Sequence, residues 1–167
     1  MPLTAAQTGT LKSDITAKSA SGQPLNALFA AQNWDGIADY YNTVVTFYVW
    51  RTNVSRAEIY TGNPQPENSF WNWTFYKNQS VTEQNAWTQM FMGDQADFSK
   101  ANVRSGVLAI FTAGSAVNAT HAFAVARRQA NRVEQLLASG TGTTAAPAVL
   151  GFEGMVSGRE ILDTVNS

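Results

Sequence analysis

The amino-acid sequence predicts a mainly α protein: a helical bundle with one long alanine-striped helix, a minor β element and an extended C-terminal arm. Three observations favour this class. Four segments carry helix-initiating capping boxes, small and apolar residues recur at helical spacing from 116 to 137, and only two runs have the composition of strands. We expect residues 1–139 to form a bundle domain and residues 140–167 an arm that ends in a short helix.

Capping boxes predict where four of the helices begin. In a capping box, a Ser or Thr side chain accepts a hydrogen bond from the backbone N–H three residues on, where a Glu or Gln side chain reaches back. The pairs are Thr4/Gln7, Ser55/Glu58, Ser80/Glu83 and Ser157/Glu160, which predict helices over 5–18, 56–60, 81–92 and 158–165. Further short helices are predicted over 25–32 and 34–42.

The strongest helical signal lies in the second half of the chain. A narrow apolar stripe recurs at alternating steps of three and four residues: Ala116, Ala119, Phe123, Ala126, Ala130, Val133 and Leu137. Because most of its members are Ala, a partner helix can approach closely. The preceding segment "NVRSGVLAIFTAG" (102–114) predicts that partner, with Gly114 as its stop.

Two runs have the composition of strands. Residues 43–54, "TVVTFYVWRTNV", are β-branched and aromatic, and their only obvious β partner is the region 148–152. We expect the minor β element to be formed by residues 43–50, by residues 145–152, or by both. The following stretch, "TGNPQPENSFWNWTFYKN" (61–78), contains two prolines and five aromatic residues. It predicts an ordered loop that is held in place by its rings.

The composition indicates a protein that associates with itself. Only 14% of the residues are charged, against roughly 25% in typical soluble domains. With 5 Trp, 5 Tyr and 9 Phe in the chain, apolar surface is left over once one core is filled, and such surface usually enters an interface. The beginning of the chain has no signal-peptide pattern and no window is apolar enough for a membrane span, so we expect a soluble protein made in the cytoplasm.

No combination of residues predicts catalysis, a cofactor or a metal ion. The chain has no Cys and a single histidine, His121, which has no companion ligands and is interpreted as a surface or partly buried helix residue. Asp35 and Asp39 stand one helical turn apart and are interpreted as a solvated face. The "GTGTT" segment lacks the lysine of a phosphate-binding loop. We therefore expect that the protein is not an enzyme.

Three arginines form the candidate polar interface. Arg127, Arg128 and Arg132 are predicted on the side of the long helix that faces away from the Ala stripe. They are expected to face a neighbouring subunit or a central channel, where surface charges set the register between subunits. As the start of an electrostatic footprint they would instead indicate contact with DNA.

The segment 140–156 has two interpretations. It is too apolar for a linker, so it needs a surface to cover. It either folds back as a strand beside Val44–Tyr48 of its own chain or forms an arm that adds to a neighbouring subunit. In the second interpretation Gly140 and Gly142 provide a swivel, and the contacts are made by Pro147, Val149, Leu150 and Phe152. We predict the arm.

A resemblance to a known family is carried by three segments: "VWRTNVSRAEI" (49–59), "NVRSGVLAIFTAG" (102–114) and "RRQANRVEQLLASGTGTTAAPAVLGFEGMVSGREI" (127–161). They resemble small structural proteins of tailed bacteriophages whose members look like head-to-tail connector, or neck adaptor, proteins. The region 61–95, with its aromatic loop, departs from the pattern.

The resemblance implies a helical subunit that forms a dodecameric ring below the portal in the neck of the virion. The implied partners are further copies of the chain, the portal protein, tail or neck proteins, and genomic DNA that passes through the channel without sequence specificity, with no membrane. No catalytic residue or cofactor comes with it. The alternatives are a tail-completion or head-decoration protein, or a small DNA-associating regulatory protein.

Overall fold

The computed structural model describes residues 2–65 and 67–167, which form ten α-helices, four strands and one 3-10 turn at Ala113–Ser115. The mainly α class with a minor β element is confirmed. The helices are α1 (Ala5–Lys18), α2 (Asn26–Ala30), α3 (Trp34–Asn42), α4 (Arg56–Thr61), α5 (Trp73–Lys77), α6 (Val81–Met90), α7 (Ala101–Ile110), α8 (Ala116–Val125), α9 (Arg132–Leu137) and α10 (Gly158–Asn166). The strands are β1 (Val44–Trp50), β2 (Val54–Ser55), β3 (Gln95–Ala96) and β4 (Arg127–Asn131).

All four predicted capping boxes form, at the starts of α1, α4, α6 and α10. In each box both hydrogen bonds are present, the one to the cap side chain and the one back to the cap backbone. A fifth box starts α9, where Asn131 is the cap and Glu134 reaches back. The sequence prediction missed it because only Ser and Thr were considered as caps, although Asn caps equally well.

The chain divides into two compact units. Unit 1 combines Met1–Val49 with Gln129–Ser167, and unit 2 is Trp50–Arg128. The chain leaves unit 1 within β1 and returns to it within β4. The predicted boundary at residue 139 is therefore not where the structure divides, since residues 140–167 share a unit with the N-terminal helices.

A mainly aliphatic core holds unit 1 together. α3 packs against α10 and α9, and α1 contacts the same two helices. The buried residues come from both chain segments: Leu11, Ile15, Leu25, Ile37, Ala38, Tyr41, Val133, Phe152, Val156 and Ile161. A smaller cluster joins Val49, Ala130 and Ala148. Unit 1 therefore forms only when its two chain segments pack against each other.

An aromatic core fills unit 2. The Trp71 ring stacks on Trp87 with 5.3 Å between centroids and meets Phe111 edge to face at 5.4 Å. The indole N–H of the fully buried Trp87 donates to the Tyr60 hydroxyl at 3.0 Å. The stretch 61–78 is thus anchored by its rings as predicted, although it also contains the short helix α5, which was not predicted. A two-residue antiparallel pair, β2 with β3, completes the unit.

The predicted single helix over 116–137 is wrong. α8 ends at Val125, β4 follows as the hydrogen-bonded partner of β1, and α9 begins after the extended cap Asn131. The Arg51 N–H donates to the Ala126 carbonyl at 2.9 Å and the Arg132 N–H to the Thr43 carbonyl at 3.1 Å. Strand pairing with residues far away in the chain therefore overrides a helical spacing that is only local.

Candidate functional site

The C-terminal segment between α9 and α10 is part of unit 1. Tyr48 donates its N–H to the Gly142 carbonyl at 2.7 Å, and its own carbonyl accepts from the Ala148 N–H at 2.9 Å. Ser139 and Val149 exchange two backbone hydrogen bonds, of 2.8 and 2.9 Å. The segment therefore folds back beside β1, and the predicted extended arm is not found. The pairing with β1 is shorter than expected, a single bridge between Val49 and Ala148.

Polar side chains supply the remaining partners of this segment. The Asn42 amide donates to the Val156 carbonyl at 2.7 Å and accepts from the Val156 N–H at 2.9 Å. Glu134 accepts from the Gly154 N–H at 3.0 Å, and the Asn131 amide donates to the Gly154 carbonyl at 2.8 Å. An irregular segment has no neighbouring strand to pair all its backbone N–H and C=O groups. These side-chain hydrogen bonds, which we call polar clamps, supply the missing partners and fix the path of the segment.

The two glycines predicted as a swivel are fixed turns. Gly140 and Gly142 have φ angles of 124° and 66°, in the region that favours glycine. The face of Gly142 where a side chain would stand is occupied by the ring of Phe47. A substitution at Gly142 would meet both constraints at once. These residues thus hold the segment against unit 1.

The four predicted contact residues of the arm face different environments. Pro147 and Phe152 are buried, and Phe152 belongs to the core of unit 1. Leu150 is half-buried and packs on the small cluster around Val49. Val149 is the most accessible of the four, at 37% exposure. Pro147 and Phe152 were chosen for their apolar character, and that same character buries them in their own chain.

The three predicted arginines do not share one helix face, because the helix that would align them does not form. Arg127 and Arg128 lie on β4, whereas Arg132 is the first residue of α9. The Arg127 side chain is only 11% exposed and forms an ion pair with Glu67 of the same unit. The Arg132 guanidinium lies 4.4 Å from the centre of the Tyr40 ring. The prediction that Arg127 belongs to an exposed charged face is therefore wrong.

The only histidine of the chain is a buried structural residue. His121 is fully buried, so the predicted surface or partly buried position is wrong. Its Nε2 lies 2.7 Å from the Ile59 carbonyl and its Nδ1 lies 2.9 Å from the Ser69 hydroxyl. A carbonyl only accepts, so Nε2 carries the hydrogen and Nδ1 accepts from Ser69. In this way His121 ties the loop that contains Ser69 to α4.

The titratable groups with shifted pKa values have structural partners. Burial, reinforced by the hydrogen bond to Asp14, raises the pKa of Tyr41, and burial raises that of Tyr60. Capping hydrogen bonds lower the pKa values of Glu58 and Glu83. Asp35 and Asp39 are both exposed on α3, as expected of a solvated face. Within residues 2–65 and 67–167, no three His, Cys, Asp or Glu side chains are grouped as metal ligands would be.

Large apolar side chains remain exposed on both units: Val44, Phe70, Trp73, Val81, Met92, Leu108, Val117, Val149 and Met155. Trp73 is 48% exposed although one side of its ring rests on Tyr60, with centroids 4.7 Å apart. Phe70, three residues before it in the chain, is 60% exposed. Each of these side chains is a candidate contact for a partner protein, since a partner would remove its unfavourable exposure to water.

Two surface clefts are lined in part by charged and polar side chains. One, of about 350 Å³ in unit 2, is lined by Ser55, Arg56, Ala57, Tyr60, Phe91 and Asp94. The other, of about 240 Å³ in unit 1, is lined by Lys18, Tyr40, Arg132, Gln135 and Leu136. The second brings together two cationic residues, Lys18 and Arg132, that are far apart in the sequence. No local pattern could have identified this pair.

The chain matches no protein-family profile, no curated protein and no solved structure. In the part of the chain that the structure describes, none of the helices has the length and apolar character needed to cross a bilayer.

Proposed function

We propose that the protein is a virion structural protein of a tailed bacteriophage, a head-to-tail connector that forms an oligomeric ring below the portal. The observation that carries the proposal is the set of exposed large apolar side chains on both units of a chain with only 14% charged residues. Surface of this kind is typical of subunits that bury it against neighbours. The resemblance of the segments 49–59, 102–114 and 127–161 narrows the assembly to the neck.

The proposed partners are other copies of the chain in a dodecameric ring, the portal protein, tail or neck proteins, and DNA that passes through the channel. In this proposal the contacts of the C-terminal segment are made by its accessible side chains, above all Val149 and Met155. Pro147 and Phe152 support the segment from within unit 1. The subunit therefore presents a preformed surface, which costs less ordering entropy on binding than a flexible arm.

The DNA-associating regulator has less support. Its candidate surface was the arginine face, yet Arg127 is ion-paired with Glu67 within its own unit and is mostly buried. A nucleic-acid site needs several cations whose donors are available to phosphates. A salt-sensitive mobility shift of DNA by the monomer, lost in Arg128→Ala, would favour this function over the connector.

The test is the location of the protein in purified virions. We expect stoichiometric amounts by mass spectrometry and density for a ring at the neck by cryo-electron microscopy. A position over the head surface would indicate decoration, and a position in the tail would indicate tail completion. Absence from virions would contradict every structural role.

A matched pair of variants tests the interaction surface. The double variant Phe70→Ser with Trp73→Ser removes two exposed rings, whereas Thr74→Ala alters an exposed polar residue on the same helix, α5. The double variant should fold and yet fail to enter the ring in sedimentation experiments, while the Thr74 variant should assemble normally. Normal assembly of both would remove the two rings from the interface.

A further inference from the structure

The cleft in unit 1 is lined by two positively charged side chains. Lys18 at the end of α1 and Arg132 at the start of α9 both line it, and the other lining residues, Tyr40, Gln135 and Leu136, are uncharged. Lys18 is ion-paired with Asp14, so the second cation, Arg132, leaves the cluster with a net positive charge. That charge favours an anion in the cleft.

Arg132 is held in a fixed orientation with donors to spare. Its guanidinium carbon lies 4.4 Å from the centre of the Tyr40 ring, a cation–π contact that uses none of the N–H donors. Its Nε is buried, and within the part of the chain that the structure describes no acceptor lies within hydrogen-bond distance. A buried N–H without an acceptor is destabilising, so a ligand that accepts from it gains that contribution on binding.

Lys18 is only partly neutralised by its neighbours. Its ammonium pairs with Asp14, whose carboxylate also accepts from the Tyr41 hydroxyl at 2.6 Å. An ammonium has three N–H donors and Asp14 needs one, so two remain for a ligand. The Nζ atom lies 6.0 Å from the centre of the Tyr40 ring, over which Arg132 also stands. The two cations thus share one aromatic platform.

We propose that this cleft binds a carboxylate group, the side chain of an Asp or Glu on a protein partner. The planar fork of Arg132 matches the two oxygens of a carboxylate, and Leu136 gives an apolar wall for the methylene groups of an acidic side chain. A cleft of about 240 Å³ with two cations accommodates one such group, whereas a DNA strand requires a row of cations. That the carboxylate belongs to a neighbouring subunit or the portal rests on the proposed function.

Titration of the full-length protein with sodium acetate tests the site. The Nε–Hε signal of Arg132 in a ¹⁵N correlation spectrum, assigned by its loss in Arg132→Lys, should shift and saturate with acetate and not with sodium chloride at the same ionic strength. Arg132→Lys should weaken acetate binding by roughly tenfold or more, followed through the amide signals of α9. Arg159→Lys, at an exposed arginine on α10, should leave the affinity unchanged.

A further variant separates binding from folding. Lys18→Gln removes one of the two cations and should therefore bind acetate more weakly with an unchanged amide spectrum. Equal shifts with acetate and chloride, or unchanged acetate affinity in Arg132→Lys, would overturn the proposal. Tighter binding of a short DNA duplex than of acetate through the same Arg132 signal would replace the carboxylate with a phosphate.

The experiments can contradict the proposed function and the proposed anion site independently of each other. Acetate binding is measured on the isolated protein, so absence of the protein from virions would leave the anion site in place and overturn only the assignment of its ligand to a connector subunit. Conversely, a protein located in the neck that does not bind acetate would overturn the site alone.

Discussion

The two units solve the same problem of core formation with different residues. Unit 2 is one continuous stretch, Trp50–Arg128, and its core is dominated by packed rings. Unit 1 is assembled from two segments separated by that stretch, and its core is mainly aliphatic. Rings provide large buried area within a short chain. A core built from two distant segments instead depends on contacts that locate one segment on the other.

In unit 1 those contacts are polar clamps with long sequence separations. The Asn42 amide bridges to Val156, the Gln7 amide donates to the Gly151 carbonyl at 2.5 Å, and Glu134 with Asn131 fixes Gly154. Bringing such distant segments together costs loop-closure entropy, which grows slowly with loop length. Unit 2 should therefore tolerate the loss of the C-terminal segment, whereas unit 1 should not.

Ending the chain at Ser139 gives the largest expected effect. The truncation removes Phe152, Val156 and Ile161 from the core of unit 1 together with the partners of its clamps. We expect unit 1 to lose cooperative folding, while amides of the unit 2 core remain protected. Hydrogen exchange followed by mass spectrometry measures both units in one experiment.

The control for the truncation is Met155→Ala, at a side chain that is 72% exposed. It should leave the exchange of both units unchanged. A truncated protein that keeps full protection in α1 and α3 would show that the segment is a separable arm after all.

The aromatic core of unit 2 is tested by two tryptophans. Trp87 is fully buried and Trp73 is 48% exposed. We expect Trp87→Ala to lower the free energy of unfolding by about 3–5 kcal/mol, and Trp73→Ala by about 1 kcal/mol or less, since only the first leaves a cavity. Urea denaturation followed by circular dichroism gives both values. Equal losses would show that the core does not centre on Trp87.

Sequence reasoning succeeded where the signal is local. A capping box lies within four residues, so Thr4, Ser55, Ser80 and Ser157 could be identified as helix caps without any knowledge of tertiary structure. It failed from Val125 onward, because β4 is defined by its pairing with β1, far away in the chain. The apolar spacing gave no sign that Asn131 interrupts the helix, although the spacing of Asn131 and Glu134 is that of a capping box.

The candidate sites show the same limit. Composition indicated surplus apolar surface, but which side chains remain exposed depends on tertiary packing, so Phe152 was expected at an interface and is buried. Arg132 was singled out from the sequence for its charge. Its cation–π contact with Tyr40 beside Lys18 arises from three separate segments and has no sequence signature.

The polar clamps of unit 1 are tested at Glu134, which is 2% exposed and accepts from the N–H groups of Asn131 and Gly154. Glu134→Gln replaces one carboxylate oxygen with an N–H donor, so one backbone donor loses its acceptor. We expect a loss of about 1.5–3 kcal/mol in the free energy of unfolding. The matched control is Glu160→Gln in the exposed box of α10, where Gln caps nearly as well as Glu and the change should be close to zero. Similar small changes in both would mean that the clamps contribute little.

The smallest expected effect is a pH dependence located in unit 2. The pKa of Glu58 is lowered from its usual value near 4.5, first by the Ser55 backbone N–H and then by Arg51, whose guanidinium lies 2.7 Å from the carboxylate. A group with a lowered folded-state pKa contributes stability that is present above its unfolded-state value and is lost as the pH falls through the folded-state value. Wild-type protein should therefore lose more stability between pH 5 and pH 3 than Glu58→Gln, which keeps the capping geometry without a titrating group.

Urea denaturation followed by tryptophan fluorescence reports mainly on unit 2, which holds Trp50, Trp71, Trp73 and Trp87. The pKa of Glu83 is lowered by its hydrogen bonds with Ser80, whereas an arginine adds to the lowering at Glu58, so Glu83→Gln should change the acid limb less than Glu58→Gln. An acid limb that is unchanged in Glu58→Gln would show that the Ser55 and Arg51 contacts do not contribute to folding.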